Sequence, residues 1–207
     1  MIFLEKLLRS KVVIWILLIL PGLWPAWPLL RQNPTVLADP LKYVLHHLGF
    51  TACVLLAAVL ALTPLRVLFP SSRLVLALNR HRRLVGVSAF VYGALHFTVH
   101  LIYEGGFGVL ASDIKKPFLL SGLVMLAILL VLAVTSLNAA VRWLGGRRWK
   151  NLHRLAYVAA ALAAYHQAAA RKLFPVQVLW IFVPLAMLEI LRIIRQRTNR
   201  LEAVPAK

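Results

Sequence analysis

Seven histidines, His46, His47, His81, His96, His100, His153 and His166, stand in a chain otherwise poor in ionisable side chains. Five lie in or near long apolar runs, where an ionisable group is costly and by default marks function. Two of them are placed alike. His96 lies 13 residues after Arg83, roughly 20 Å along a helix axis, and His166 lies 15 residues after Asn151, roughly 22 Å. Both therefore reach a similar depth in the outer leaflet, on different helices. Two neutral imidazoles so matched can hold a haem iron from opposite sides, an arrangement suited to electron transfer in helix bundles. A single intramembrane histidine would more simply be hydrogen-bonded structure.

The other histidines are less specific. His153 precedes His166 by 13 residues, which suggests two redox sites stacked across a bilayer on one helix. At about 100° per residue the two side chains would point roughly 140° apart, so they need different partner helices or a bent helix. Arg83 stands where a matching histidine would be expected. The alternative for His153 is an interfacial residue bonded to headgroups or a loop carbonyl. His96 and His100 are four apart and share a helix face, but no third ligand completes a zinc site. His100 is expected nearer the outer surface, as an accessory residue at a propionate or partner site, or as plain structure. His46 and His47 belong at the outer end of a helix, at headgroup level or accessory to the site. His81 falls in a basic loop. Gly86, Gly93 and the alanines around His166 would leave room for a macrocycle; close helix packing also favours small residues. The single Cys53 offers neither disulfide nor metal site.

These residues must be positioned by a membrane. Of 207 residues, 61% are hydrophobic and only 14% charged, and the apolar ones run in blocks long enough to span a bilayer. Six blocks can be read: Val12 to Leu30, Leu45 to Leu62, Leu84 to Tyr103, Pro117 to Leu137, Leu152 to Ala170 and Val176 to Ile194. Backbone groups in lipid must be bonded within their own segment, and the alternation a barrel needs is missing. The expected fold is an all-α membrane protein, a bundle of about six transmembrane helices joined by short loops. It forms one domain over residues 1–207, without repeats. The net charge of +18 does not mark a nucleic-acid binder, because Lys and Arg sit in the loops, where they fix topology and meet anionic lipid of the bilayer. One side collects Lys6, Arg9, Lys11, Arg66, Arg73, Arg80, Arg82, Arg83, Arg142, Arg147, Arg148, Lys150, Arg154, Arg192, Arg195, Arg197, Arg200 and Lys207. The other has Arg31, Lys42, Lys115, Lys116, Arg171 and Lys172. Both termini are therefore expected in the cytoplasm. Val36-Leu37-Ala38 after the first apolar run could imitate a signal-peptide cleavage site, but it lies far beyond that run, which favours an uncleaved first helix. There is no GxGxxG after a strand and no P-loop, so any NAD(P)H oxidation belongs to a separate protein. A proton-coupled transporter would want an intramembrane carboxylate, and Glu189 is the one candidate.

The stretches Ala38-Asp39-Pro40 with His46 and Gly49, Leu62-Thr63-Pro64-Leu65, Arg82-Arg83-Leu84 with Gly86, Ala94-Leu95-His96, Leu152-His153 and His166 occur in an order and spacing that resembles the MsrQ family, formerly YedZ. Its members are the haem-binding membrane subunits of the bacterial periplasmic protein-methionine-sulfoxide reductase system. The helix with Leu-His-Arg near its start is similar to the wider ferric reductase-like transmembrane domain. The resemblance implies haem b, with His96 and His166 as iron ligands and a further redox site or second haem at His153. It implies FMN as an additional cofactor and a multi-pass place in the bacterial inner membrane. Electrons would arrive from a cytoplasmic flavin reductase or the quinone pool. They would leave to a periplasmic molybdenum-cofactor methionine-sulfoxide reductase that repairs oxidised proteins. The chain itself would be an electron carrier and not the subunit that reduces methionine sulfoxide. The lack of a second histidine on the third helix departs from the larger oxidase pattern. Two rivals remain open at this point: a self-sufficient membrane ferric or quinone reductase, and a non-redox transporter or scaffold.

Overall fold

The long apolar runs of the chain fold as helices among the described residues. The computed structural model describes residues 2–170 and 175–202, so Arg171, Lys172 and Lys207 lie outside the described residues. The helices are α1 (Ile2–Arg9), α2 (Lys11–Leu23), α3 (Ala26–Leu30), α4 (Pro34–Leu37), α5 (Pro40–Leu68), α6 (Arg73–Arg80) and α7 (Arg82–Glu104). A 3-10 turn at Phe107–Val109 leads to α8 (Leu110–Asp113), α9 (Pro117–Val134), α10 (Asn138–His153), α11 (Leu155–Ala169) and α12 (Val176–Glu202). No strand occurs among the described residues. The helices α5, α7, α9 and the Val176–Leu201 part of α12 are long and apolar enough to cross a bilayer. The chain is an all-α membrane protein.

The bundle is organised around α5, which packs against α7, α12 and α11, while α9 packs on α11 and α7. Cys53, Leu56, Ala57 and Leu60 of α5 meet Ala89 of α7, Leu129 of α9, Ala159, Ala160 and Ala163 of α11, and Leu185 of α12. Alanine dominates where α11 enters this core because small side chains let helix backbones approach closely. Large apolar residues such as Trp180, Met187 and Ile190 of α12 point outward, as a lipid-facing surface requires. Asp39 caps α5 by accepting from the Lys42 N–H at 3.0 Å, with Pro40 in the first turn. Gly105, at φ 95°, ends α7 in the left-handed region.

Two segments differ from the sequence-based expectation. The run from Val12 to Leu30 is not one helix, because it is interrupted after Leu23 and resumes at Ala26. Proline explains the break. Pro25 has no N–H to give to the carbonyl of Pro21, and His47 Nε2 takes that carbonyl at 2.6 Å instead. His47 therefore ties α5 to α2 and is not simply a headgroup-level residue. The run from Leu152 to Ala170 also changes. The stretch read as a basic loop is helix α10, which carries a non-helical Gly145 (φ 71°) and ends at His153; α11 starts at Leu155. His153 and His166 thus lie on two consecutive helices that meet at Arg154. His81, expected in a basic loop, is buried between α6 and α7.

A second tie holds α2 to the bundle: the Tyr92 hydroxyl donates to the Leu18 carbonyl at 2.6 Å. Tyr92→Phe is expected to cost about 1 kcal/mol. The check is a lower thermal midpoint in detergent with unchanged helix content by circular dichroism.

Candidate functional site

A cavity of about 620 Å³ opens between α5, α7, α9 and α11, well within the range of sites that bury a cofactor. Its wall includes five of the seven histidines, His46, His47, His96, His100 and His166. His81 and His153 are not among its lining residues.

His96 and His166 come together as their matched depths suggested. Their ring centres are 6.2 Å apart, with the planes at 85°. Each ring is anchored by the same device. His96 Nδ1 lies 2.8 Å from the Leu45 carbonyl oxygen, and His166 Nδ1 lies 2.7 Å from that of Phe118. A carbonyl can only accept, so each Nδ1 must carry the proton. The neutral ring then presents its lone pair at Nε2, the protonation state a metal ligand needs.

Each anchor also depends on a glycine four residues after the accepting carbonyl. A Cβ built on Gly49 would stand 2.9 Å from His96 Nδ1, and one on Gly122 would stand 2.8 Å from His166 Nδ1. Any side chain there would push the ring off its carbonyl. The glycines singled out from spacing were Gly86 and Gly93; Gly49 entered only through the family resemblance, and Gly122 was not singled out. Gly93 does line the cavity, but Gly86 does not, and a Cβ on it would meet only Val59 at an ordinary 3.8 Å. A glycine four residues after Leu45 or Phe118 was the signal available in the sequence.

The mouth of the cavity is polar. His100 Nε2 donates to Asp113 Oδ2 at 2.8 Å, and Lys116 Nζ lies 3.2 Å from Asp113 Oδ1. Lys42, His46 and Tyr103 share this rim. His46 is held by its own helix, with Nδ1 2.8 Å from the Lys42 carbonyl oxygen. Burial alone would push the Asp113 carboxyl up, but the hydrogen bonds from His100 and Lys116 outweigh it and hold the group below its ordinary 3.8. A carboxylate with a lowered folded value stabilises the fold above its unfolded value, and that stability is lost as pH falls through the folded value. Asp113→Asn is therefore expected to lower the thermal midpoint at neutral pH, and the gap to wild type should close below about pH 4. Melting curves of both proteins across pH are the check.

At the other end of α7 the groups are basic and aromatic. The His153 ring stacks on Trp149 at 3.9 Å, its Nδ1 donates to the Trp149 carbonyl at 3.1 Å, and Arg82 lies over the Trp149 ring at 5.9 Å. Arg83 bonds Asn138. Glu189, the carboxylate a proton-coupled transporter would need, is paired with Arg192 at 2.7 Å and accepts from the Tyr157 hydroxyl at 3.2 Å.

The family described as "Ferric reductase like transmembrane component" matches residues 48–164 of this chain. A protein of Ralstonia nicotianae is 39% identical over 165 residues, which cover 78% of this chain and 73% of the relative. Relatives from Brucella ovis and Brucella suis are each 35% identical over 173 residues, 76% of either chain. All three are named "Protein-methionine-sulfoxide reductase heme-binding subunit MsrQ". The chain belongs to the MsrQ family. In this chain the matched region starts one residue before Gly49, holds His96, His100, Gly122 and His153, and stops two residues short of His166. No solved structure matches the chain.

Proposed function

We propose that this MsrQ-family chain holds haem b between His96 and His166 and carries electrons across the bacterial inner membrane. They would pass to a periplasmic molybdenum-cofactor methionine-sulfoxide reductase that repairs oxidised proteins. The observation that carries the reading is the paired anchoring of the two rings. Two metal–imidazole bonds of about 2 Å each, with the distance from each nitrogen to its ring centre, add to roughly 6 Å. The 6.2 Å between the ring centres matches that sum. The names of the relatives, each a haem-binding subunit, support the same group.

Haem bound here supplies a one-electron ferric–ferrous cycle. The residues do the rest. Leu45 and Phe118 keep the Nδ1 protons in place, so Nε2 stays free to bind iron. Leu126 and Leu129 keep water from the cavity wall, and Lys42, Lys116 and His100 at the mouth suit the propionates. His153, stacked on Trp149 at the opposite end, would serve electron uptake as a further redox site. The exposed basic residues Arg82 and Arg83 of α7 and Arg147 and Lys150 of α10 suit an anionic flavin such as FMN or a cytoplasmic flavin reductase; the quinone pool is the other donor. In this reading both termini are cytoplasmic, and residues 1–207 form one haem-binding domain.

Vesicles carrying the haem-loaded protein test the conduit. A flavin reductase with NADH is supplied on the α10 side, and an impermeant acceptor is enclosed. Reduction well above that in protein-free vesicles, lost in His96→Ala, is expected; a rate equal to protein-free vesicles would overturn the proposal. Enclosing either a ferric chelate or the molybdenum reductase separates the readings. Faster turnover with the chelate would favour a self-sufficient ferric reductase.

A further inference from the structure

The two histidine anchors are not equivalent. Each uses a helix carbonyl that already accepts the backbone N–H four residues on, that of Gly49 for Leu45 and of Gly122 for Phe118. A carbonyl oxygen has two lone pairs. At Leu45 the helix N–H and His96 Nδ1–H occupy both. At Phe118 a third donor intrudes: the hydroxyl of Ser121, which is buried, lies 2.6 Å from the same oxygen that His166 Nδ1 reaches at 2.7 Å. Three donors then share two lone pairs, and each bond is weaker than it would be alone.

We propose that Ser121 is a positioning residue: by competing for the Phe118 carbonyl it weakens the His166 Nδ1–H bond, makes His166 the less basic of the two ligands, and raises the reduction potential of the site. The inference rests on the reading that His96 and His166 hold haem. Hydrogen bonding of the outer ring nitrogen raises the basicity of a histidine ligand, and a more basic ligand favours ferric iron. Outer hydrogen bonds are one of the means by which a protein sets a haem potential. A raised potential suits a site near the outer end of the bundle, because it draws electrons from donors on the α10 side. Serine back-bonding to a carbonyl three or four residues earlier is common in helices. Here the carbonyl it chooses is the one that holds a candidate ligand.

Ser121→Ala removes one oxygen and leaves the cavity wall nearly unchanged. Potentiometric titration of the haem-loaded protein is expected to show a lower midpoint for Ser121→Ala and a return toward wild type for Ser121→Thr, which restores the hydroxyl. An unchanged or higher midpoint in the alanine variant, or equal shifts in both variants, would overturn the proposal. Nitrogen-15 histidine labelling of the haem-free protein gives a second readout. In Ser121→Ala the Nδ1 proton of His166, and not that of His96, should move downfield as its hydrogen bond strengthens. No movement there would overturn the proposal even if haem binds. A wild-type protein that takes up no haem would instead overturn the ligation reading, and the proton resonance would still decide the role of Ser121.

Discussion

His166→Ala and His96→Ala are each expected to remove haem from the protein while leaving the bundle intact. Losing only an outer partner of a metal ligand costs about 10- to 100-fold in affinity, so losing the ligand itself should lower haem content by at least roughly tenfold. The fold should survive because neither ring belongs to the hydrophobic core, which is built from Cys53, Leu56, Leu60, Ala89, Leu129 and the alanines of α11. Pyridine-haemochrome content against protein content, with helix content by circular dichroism, measures both quantities. His100→Ala and His46→Ala, which touch the same cavity but sit at its rim, should retain most of the haem.

Gly49→Ala and Gly122→Ala should lower haem content nearly as much, an effect that helix propensity does not foresee. Alanine is favoured over glycine inside a helix by about 1 kcal/mol, so a purely local view expects both variants to be more stable. The added methyl, however, would lie 2.9 Å from His96 Nδ1 or 2.8 Å from His166 Nδ1. The ring must then leave its carbonyl, losing both the bond that fixes its tautomer and its aim. Haem content should fall sharply in both variants while thermal stability holds or rises. Gly86→Ala is the control, since its methyl would meet only Val59 at 3.8 Å. If all three variants keep full haem, the glycines are ordinary packing residues.

The sequence made the bilayer and the deep histidine pair legible for clear physical reasons. Spans are set by bilayer thickness, and depth along a helix is arithmetic on residue number, so His96 and His166 could be brought to one level without knowing the packing. What stayed hidden depended on neighbours. The Val12 to Leu30 run is apolar enough for a span, and only the missing N–H of Pro25, with His47 taking the stranded Pro21 carbonyl, divides it. The α10 helix looks like a basic loop because Arg142, Arg147, Arg148 and Lys150 fall in it and Gly145 and Gly146 interrupt it. Asp113 could not be paired with His100 from sequence, since a 3-10 turn and a four-residue helix bring it back over the mouth. The closeness of Gly49 to His96 and of Gly122 to His166 was hidden for a subtler reason. Spacing along one helix identifies residues that share its face, whereas these two matter for what a different helix places against them.

Whether His96 and His166 share one iron can be read from low-temperature electron paramagnetic resonance of the purified ferric protein, paired with its dithionite-reduced optical spectrum. Two axial imidazoles should give a low-spin ferric signal and a sharp b-type α-band on reduction, with both lost in His96→Ala and in His166→Ala. A high-spin signal in the wild type, or a low-spin signal that survives either substitution, would contradict ligation by this pair.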